Sequence, residues 1–94
     1  MARYISLLSF TEQGAAKLKK STARAAAFAN AAKKAGVTVE AQYWLAGAYD
    51  GILILNGDSA AKVLNCLAGL VAEGNVRTKT LQAFDAAEFK AITG

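Results

Sequence analysis

Histidine and proline are both absent from the 94-residue chain, and cysteine occurs once, as Cys66. Without histidine there is no imidazole base, no Ser–His or Cys–His nucleophile pair and no His-bound zinc or haem. A lone cysteine excludes an internal disulfide, thiolate-held clusters and any CxxC motif, and it points to a reducing cytoplasm. No uncharged apolar run approaches the roughly 20 residues a membrane span needs. The apolar opening, Met1 to Phe10, is too short before Glu12 and lacks a cleavage site, so it reads as a strand rather than a signal peptide. Charge is scarce too, at 19% of residues against 54% hydrophobic. The length implies one domain over residues 1–94. A chain this size buries roughly 60–65% of its unfolded surface, so its core is thin. The apolar content exceeds what such a core needs, and the surplus points to an oligomer interface.

The net charge of +4 is lopsided. Residues 1–36 hold seven basic side chains against Glu12, and residues 37–94 hold four against six acids. Lys17, Lys20 and Arg24 recur at helical spacing, as a water-facing stripe does. A solvated helix face therefore accounts for the basic excess better than an anionic partner.

Arg3 to Phe10 is rich in Ile, Leu, Tyr and Phe and reads as a first strand, apolar on both faces and so central. Thr11 is placed as the N-cap of a helix that runs to Gly36. Leu18, Ala25, Phe28, Ala32 and Ala35 form its apolar stripe, and Ser21 is a candidate second cap at a kink. Val37 to Ala46 reads as a second strand, with Val39, Ala41, Tyr43 and Leu45 alternating against Thr38, Glu40, Gln42 and Trp44. Gly47 to Gly51 is a turn, and Ile52 to Leu55 a short central strand, so these two strands form a hairpin. Asp58 or Ser59 caps a second helix with Ala60, Val63, Leu64, Leu67, Leu70 and Val71 on its apolar face, and Gly74 ends it. Asn75 to Phe84 is a Thr-rich edge strand. Asp85 opens a last helix with Glu88 completing a capping box, and Phe84 and Phe89 stand at the positions of a hydrophobic staple.

The order β-α-β-β-α-β with a terminal helix is the ferredoxin-like split pattern, an α+β fold with a four-stranded antiparallel sheet. The reading places strands one and three at the centre, running parallel, with strands two and four at the edges. Both helices cover one face. The other is left bare, with Trp44 or Tyr43, Tyr4, Leu8 and Ile52 or Leu53 as candidates to lie on it. A bare apolar face marks an interface or a ligand site, and sheet-to-sheet dimerisation covers it.

Fold alone does not choose a function. An RNA-recognition motif stacks bases on central-strand aromatics, and Ile52-Leu53-Ile54-Leu55 has none. The seven acids are scattered, mostly at caps and turns, which argues against paired-carboxylate catalysis. No cofactor or metal motif is present. Cys66 reads as a small apolar filler, since no histidine can activate it.

Four blocks carry a family resemblance: Tyr4 to Gly14, Tyr43-Trp44, the turn Gly47-Ala48-Tyr49-Asp50-Gly51, and Gly74 to Asp85. Together, in this order, they resemble the GYD-domain family over essentially the whole chain. The resemblance implies a dimeric α+β barrel with two sheets face to face, and it implies no particular reaction. The missing proline departs from the family pattern near Ser21. A similar Gly-x-Tyr-Asp turn occurs in the ligand-sensing domain of the Lrp/AsnC regulators, which implies a binding or sensing module.

Candidate ligand contacts follow. Tyr49 and Asp50 sit at the hairpin tip, where turn chemistry and a ligand or subunit contact are both open. Trp44 suits core, interface or ligand stacking. Arg77 and Lys79 share a strand parity, suited either to edge protection or to holding an anion. Ser6, Gln42, Thr78 and Thr80, with Tyr4, are candidates to line a cavity between paired sheets. The leading expectation is a non-enzymatic homodimeric module that binds a small molecule or a partner protein. A cofactor-light monooxygenase- or isomerase-like enzyme is the alternative. Binding of nucleic acid or a membrane surface through the first helix ranks last.

Overall fold

The protein is described by a computed structural model covering residues 2–94. Strand β1 (Ala2–Phe10) leads through α1 (Glu12–Ala16) and a 3-10 turn (Leu18–Lys20) into α2 (Ser21–Lys34). The hairpin β2 (Val37–Trp44) and β3 (Gly51–Gly57) follows, then α3 (Ala60–Ala72), β4 (Val76–Gln82) and α4 (Ala86–Thr93). The sheet has the order β2-β3-β1-β4, with β1 and β3 central as expected. All three pairings are antiparallel. The parallel arrangement expected for β1 and β3 is therefore corrected: the helical crossover makes β1 parallel to β2, and the hairpin then reverses β3.

The expected first helix is broken. Thr11 caps α1 by accepting from the Gly14 N–H at 3.2 Å, but α1 lasts only five residues. Its first turn is pressed against the start of β4, where a Cβ on Gly14 would stand 2.0 Å from the Asn75 carbonyl oxygen. The chain must then turn to cross the sheet, and the 3-10 turn does this. Ser21 caps nothing; it lies in α2 with helical φ and ψ, and its hydroxyl accepts from the Trp44 indole at 2.9 Å. Leu18 falls in the 3-10 turn and is exposed, while Ala32, near the end of α2, is buried. Positive φ at Gly36 and Gly74, +83° and +84°, ends α2 and α3, a conformation that Cβ-bearing residues avoid. Ser59, not Asp58, caps α3 by accepting from Lys62 N–H.

The core lies between the sheet and the helices. Tyr4, Leu53, Leu55 and Val37 from the sheet meet Ala32 of α2 and Val63 and Leu67 of α3. Residues opposite one another across the ladder share a face, so Ser6, Leu8, Gly51, Thr78 and Thr80 also look toward the helices. A bulge in β2 corrects the expected alternation there. Val39 pairs with Leu55 and Ala41 with Ile54, which leaves Glu40 as an extra residue. Beyond it, Gln42 and Trp44 share the helix side with Val39, and Tyr43 lies on the other face.

That other face carries no helix. Its central rows are Ile5 and Leu7 of β1 against Ile52 and Ile54 of β3. Ala41 and Tyr43 extend it on one side, Leu81 and the cations Arg77 and Lys79 on the other. Of the residues expected on it, Tyr43 and Ile52 are there. Tyr4, Leu8, Leu53 and Trp44 are on the helix side, because the register is shifted by one residue relative to that expectation.

Asp85 and Glu88 form the expected capping box of α4. Arg3 holds this helix by donating from Nη1 to the Glu88 carboxylate at 2.8 Å, with Glu40 3.7 Å from its Nε. The Glu88 hydrogen bond raises the Arg3 pKa above its ordinary value, burial opposes this, and the charges of Glu88 and Glu40 add to the rise. Phe84, Phe89 and Ile92 remain exposed around α4. No helix among the described residues is long and apolar enough to cross a membrane.

Candidate functional site

Two regions present chemistry. The first is the uncovered sheet face. Arg77 and Lys79 project from β4 at its rim, both exposed. The Lys79 ammonium lies 5.8 Å from the centroid of the Tyr49 ring, a cation–π contact that ties the hairpin loop to β4. Among the described residues neither Arg77 nor Lys79 has a carboxylate within salt-bridge distance.

The second region is a chamber of about 60 Å³ between the sheet and α2. Leu8, Phe10, Phe28, Leu53 and Leu70 give it apolar walls, and Trp44, Gln42, Asp50 and Arg24 bring polar groups to its rim. Asp50 is fastened by the chain's own backbone. Its carboxylate accepts from the Phe10 N–H at 2.8 Å, and its N–H donates to Leu8 C=O at 2.8 Å. Arg24 is fastened at one end, donating from Nη1 to Lys17 C=O at 2.9 Å. Its Nη2 is buried without a partner, and so is Gln42 Oε1. Each unpartnered buried group costs about 1–3 kcal/mol, so two beside one chamber call for an explanation.

A separate cleft of about 490 Å³ lies between α2 and α3, lined by Ala27, Ala31, Cys66 and Gly69 among others. Arg24, Phe28, Leu70 and Glu73 border both spaces.

The nine candidate residues separate accordingly. Gln42, Trp44 and Asp50 come together at the chamber. Tyr4 is buried in the core. Ser6, fully buried, shares a hydrogen bond of 3.0 Å with Thr80. Thr78 and Thr80 border a shallow groove beneath Leu64 and Val71 of α3. Tyr49 and Arg77 stay apart from all of these. Ser6, Gln42, Thr78 and Thr80 thus face the helices and not the uncovered side, which removes them from any cavity between paired sheets. The residue that sequence reasoning missed is Arg24, assigned to a water-facing stripe. The available signal was its spacing from Phe28: four residues on in a helix put it on the same face as a residue of the buried stripe.

No three His, Cys, Asp or Glu side chains gather into a metal site among the described residues. A curated relative from Thermus thermophilus is 33% identical over 89 residues, covering 94% of each chain. Its name is "Glutamine synthetase and cystathionine beta-lyase binding protein". A crystal structure of a protein from the same organism superposes with a TM-score of 0.57 at 21% identity, over 92% of this chain and 96% of the other, and shows likeness of fold. Residues 4–93 match the GYD domain. The chain belongs to the GYD domain family.

Proposed function

We propose that this chain is a non-enzymatic interaction module that pairs with a second copy through its uncovered sheet face and docks onto partner proteins. The observation that carries this reading is that face itself. Ile5, Leu7, Ile52 and Ile54 make its centre continuously apolar, and Tyr43 and Leu81, 61% and 58% exposed, extend it toward both edges. Apolar faces of this extent are uncommon on chains that stay alone. Four strands about 4.8 Å apart and about seven residues long span roughly 450 Å² in plan, and side-chain relief raises this toward the about 800 Å² per partner of a standard interface. The name of the Thermus relative supports enzymes as the class of protein partner.

Light scattering at micromolar concentration tests the pairing. A mass of two chains is expected, and Ile54→Lys should yield one, because it sets a charge at the centre of the buried face. A parent protein that runs as a monomer refutes the pairing. Docking is tested separately by titrating purified glutamine synthetase and cystathionine β-lyase and measuring co-sedimentation. Absence of both complexes removes these partners and leaves the self-pairing result standing.

A further inference from the structure

We infer that the outer edge of β4 takes an extended segment of a partner protein as one more strand, and that the segment it selects alternates apolar and acidic residues. This rests on the reading of the chain as a docking module and not on the pairing of its uncovered face. β4 is the last strand on its side of the sheet. Ala83 N–H donates to Arg3 C=O at 2.9 Å and Thr11 N–H to Asn75 C=O at 3.1 Å, which fixes the phase of the β1–β4 ladder. Odd-numbered residues of β4 therefore bond to β1, and the N–H and C=O groups of Thr78 and Thr80 point outward. No other segment among the described residues makes a backbone hydrogen bond to them. The opposite edge, β2, is interrupted by its bulge, whereas β4 pairs without one from Val76 to Gln82. An unbroken edge is a template for a further strand, held by main-chain bonds and chosen by its side chains.

Side chains of the added strand meet two different surfaces. Those opposite Thr78 and Thr80 lie on the helix side, where a groove of about 430 Å³ opens between α3 and β4. Leu64 and Val71 border it, 47% and 41% exposed, and the small Ala68 and Ala72 leave it room. Apolar side chains there cover surface that the chain leaves in water. Those opposite Arg77 and Lys79 lie on the other side, across from two exposed cations with no carboxylate within salt-bridge distance among the described residues. The Tyr49 ring holds the Lys79 ammonium without neutralising it. Opposite charges directly across a strand pair attract, and like charges repel. A second β4 centred on Thr78 and Thr80 would bring Lys79 against its own copy. The cations that discourage this edge from pairing with itself therefore favour an acidic partner.

The probe is a dye-labelled synthetic peptide of alternating valine and glutamate, blocked at both ends and matched to the seven residues of β4. Fluorescence anisotropy follows its binding to the full chain. Saturable binding is expected. A valine–lysine peptide should bind at least tenfold more weakly, and so should a valine–glutamate peptide N-methylated at its valines, which cannot donate to the edge. Thr78→Pro removes an outward N–H and no ladder bond, so this variant, with circular dichroism confirming its fold, should bind the probe at least tenfold more weakly. Arg77→Glu combined with Lys79→Glu should reverse the preference between the two peptides. Ile54→Lys, on the uncovered face, should bind the probe as the parent does. No saturable binding of the valine–glutamate peptide overturns the proposal, as does equal affinity for the valine–lysine peptide or undiminished binding by a folded Thr78→Pro. A fall in the parent's mass caused by Thr78→Pro would give the edge to a second copy and overturn it too. Enzyme complexes without peptide binding would keep the docking reading and sink this site, and peptide binding without enzyme complexes would do the reverse.

Discussion

Replacing Gly14 by alanine tests how α1 is attached to the sheet. The added Cβ would lie 2.0 Å from the Asn75 carbonyl oxygen and 2.9 Å from its carbon, where ordinary contact begins at 3.4 Å. The obstacle is backbone on both sides, so no side chain can swing aside. The strand start or the helix must retreat by about an ångström, as overpacked sites do at a cost of about 1–3 kcal/mol. Four hydrogen bonds cross this contact: Thr11 N–H to Asn75 C=O at 3.1 Å, Thr11 Oγ1 to Gly74 C=O at 2.6 Å, and Gln13 Nε2 to Asn75 Oδ1 at 2.9 Å and to Glu73 C=O at 3.0 Å. Stretching them forfeits part of about 1 kcal/mol each. Alanine's better helix propensity returns up to about 1 kcal/mol. The net expectation is a loss of about 2–3 kcal/mol, a large share of the roughly 5–14 kcal/mol typical for a chain of this length. Urea unfolding followed by Trp44 emission should show the midpoint falling with unchanged slope. A Gly14→Ala protein as stable as the parent, or more so, refutes the close approach of α1 to β4.

Thr80→Val should leave the buried Ser6 hydroxyl without its partner and cost about 1–3 kcal/mol, while Ser6→Ala with Thr80→Val together should recover part of that loss. The double-mutant cycle in urea checks this, and simple additivity would show that the hydroxyl pair is not coupled. Glu88→Ala removes both the capping box and the Arg3 tie, so amide exchange across α4 should quicken while the unfolding midpoint moves less than in Gly14→Ala. Unchanged exchange in α4 would mean that other contacts hold this helix.

Element order was legible because its signals are local. Thr11, Ser59 and Asp85 announce helix starts through side chains that reach backbone two or three residues on, and Gly36 and Gly74 announce stops through a φ that other residues avoid. The largely apolar runs at Ile5–Leu8 and Ile52–Leu55 marked the central strands for a similar reason, since apolar side chains on both parities are written in the segment itself. Site residues were less legible. Gln42, Trp44 and Asp50 were nominated by residue type, and their meeting at one chamber with Arg24 depends on where β2 bulges and where α2 crosses the sheet. Arg24 looks like its neighbours Lys17 and Lys20, and its spacing from Phe28 is the one local sign that sets it apart from a solvated cation.

The sequence by itself determined the α+β class, the number and order of the main elements, the central strands and the family. It also determined that any chemistry must proceed without histidine or paired cysteines. Only the tertiary structure decided the direction of β1 against β3, the face on which Ser6 and Thr80 lie, and the inward turn of Arg24. Caps and apolar runs act over a few residues, and each segment carries its own record of them. Register, bulges and helix breaks are set by distant surfaces meeting, as Gly14 meets Asn75, and one residue of slip at such a meeting reverses every face downstream.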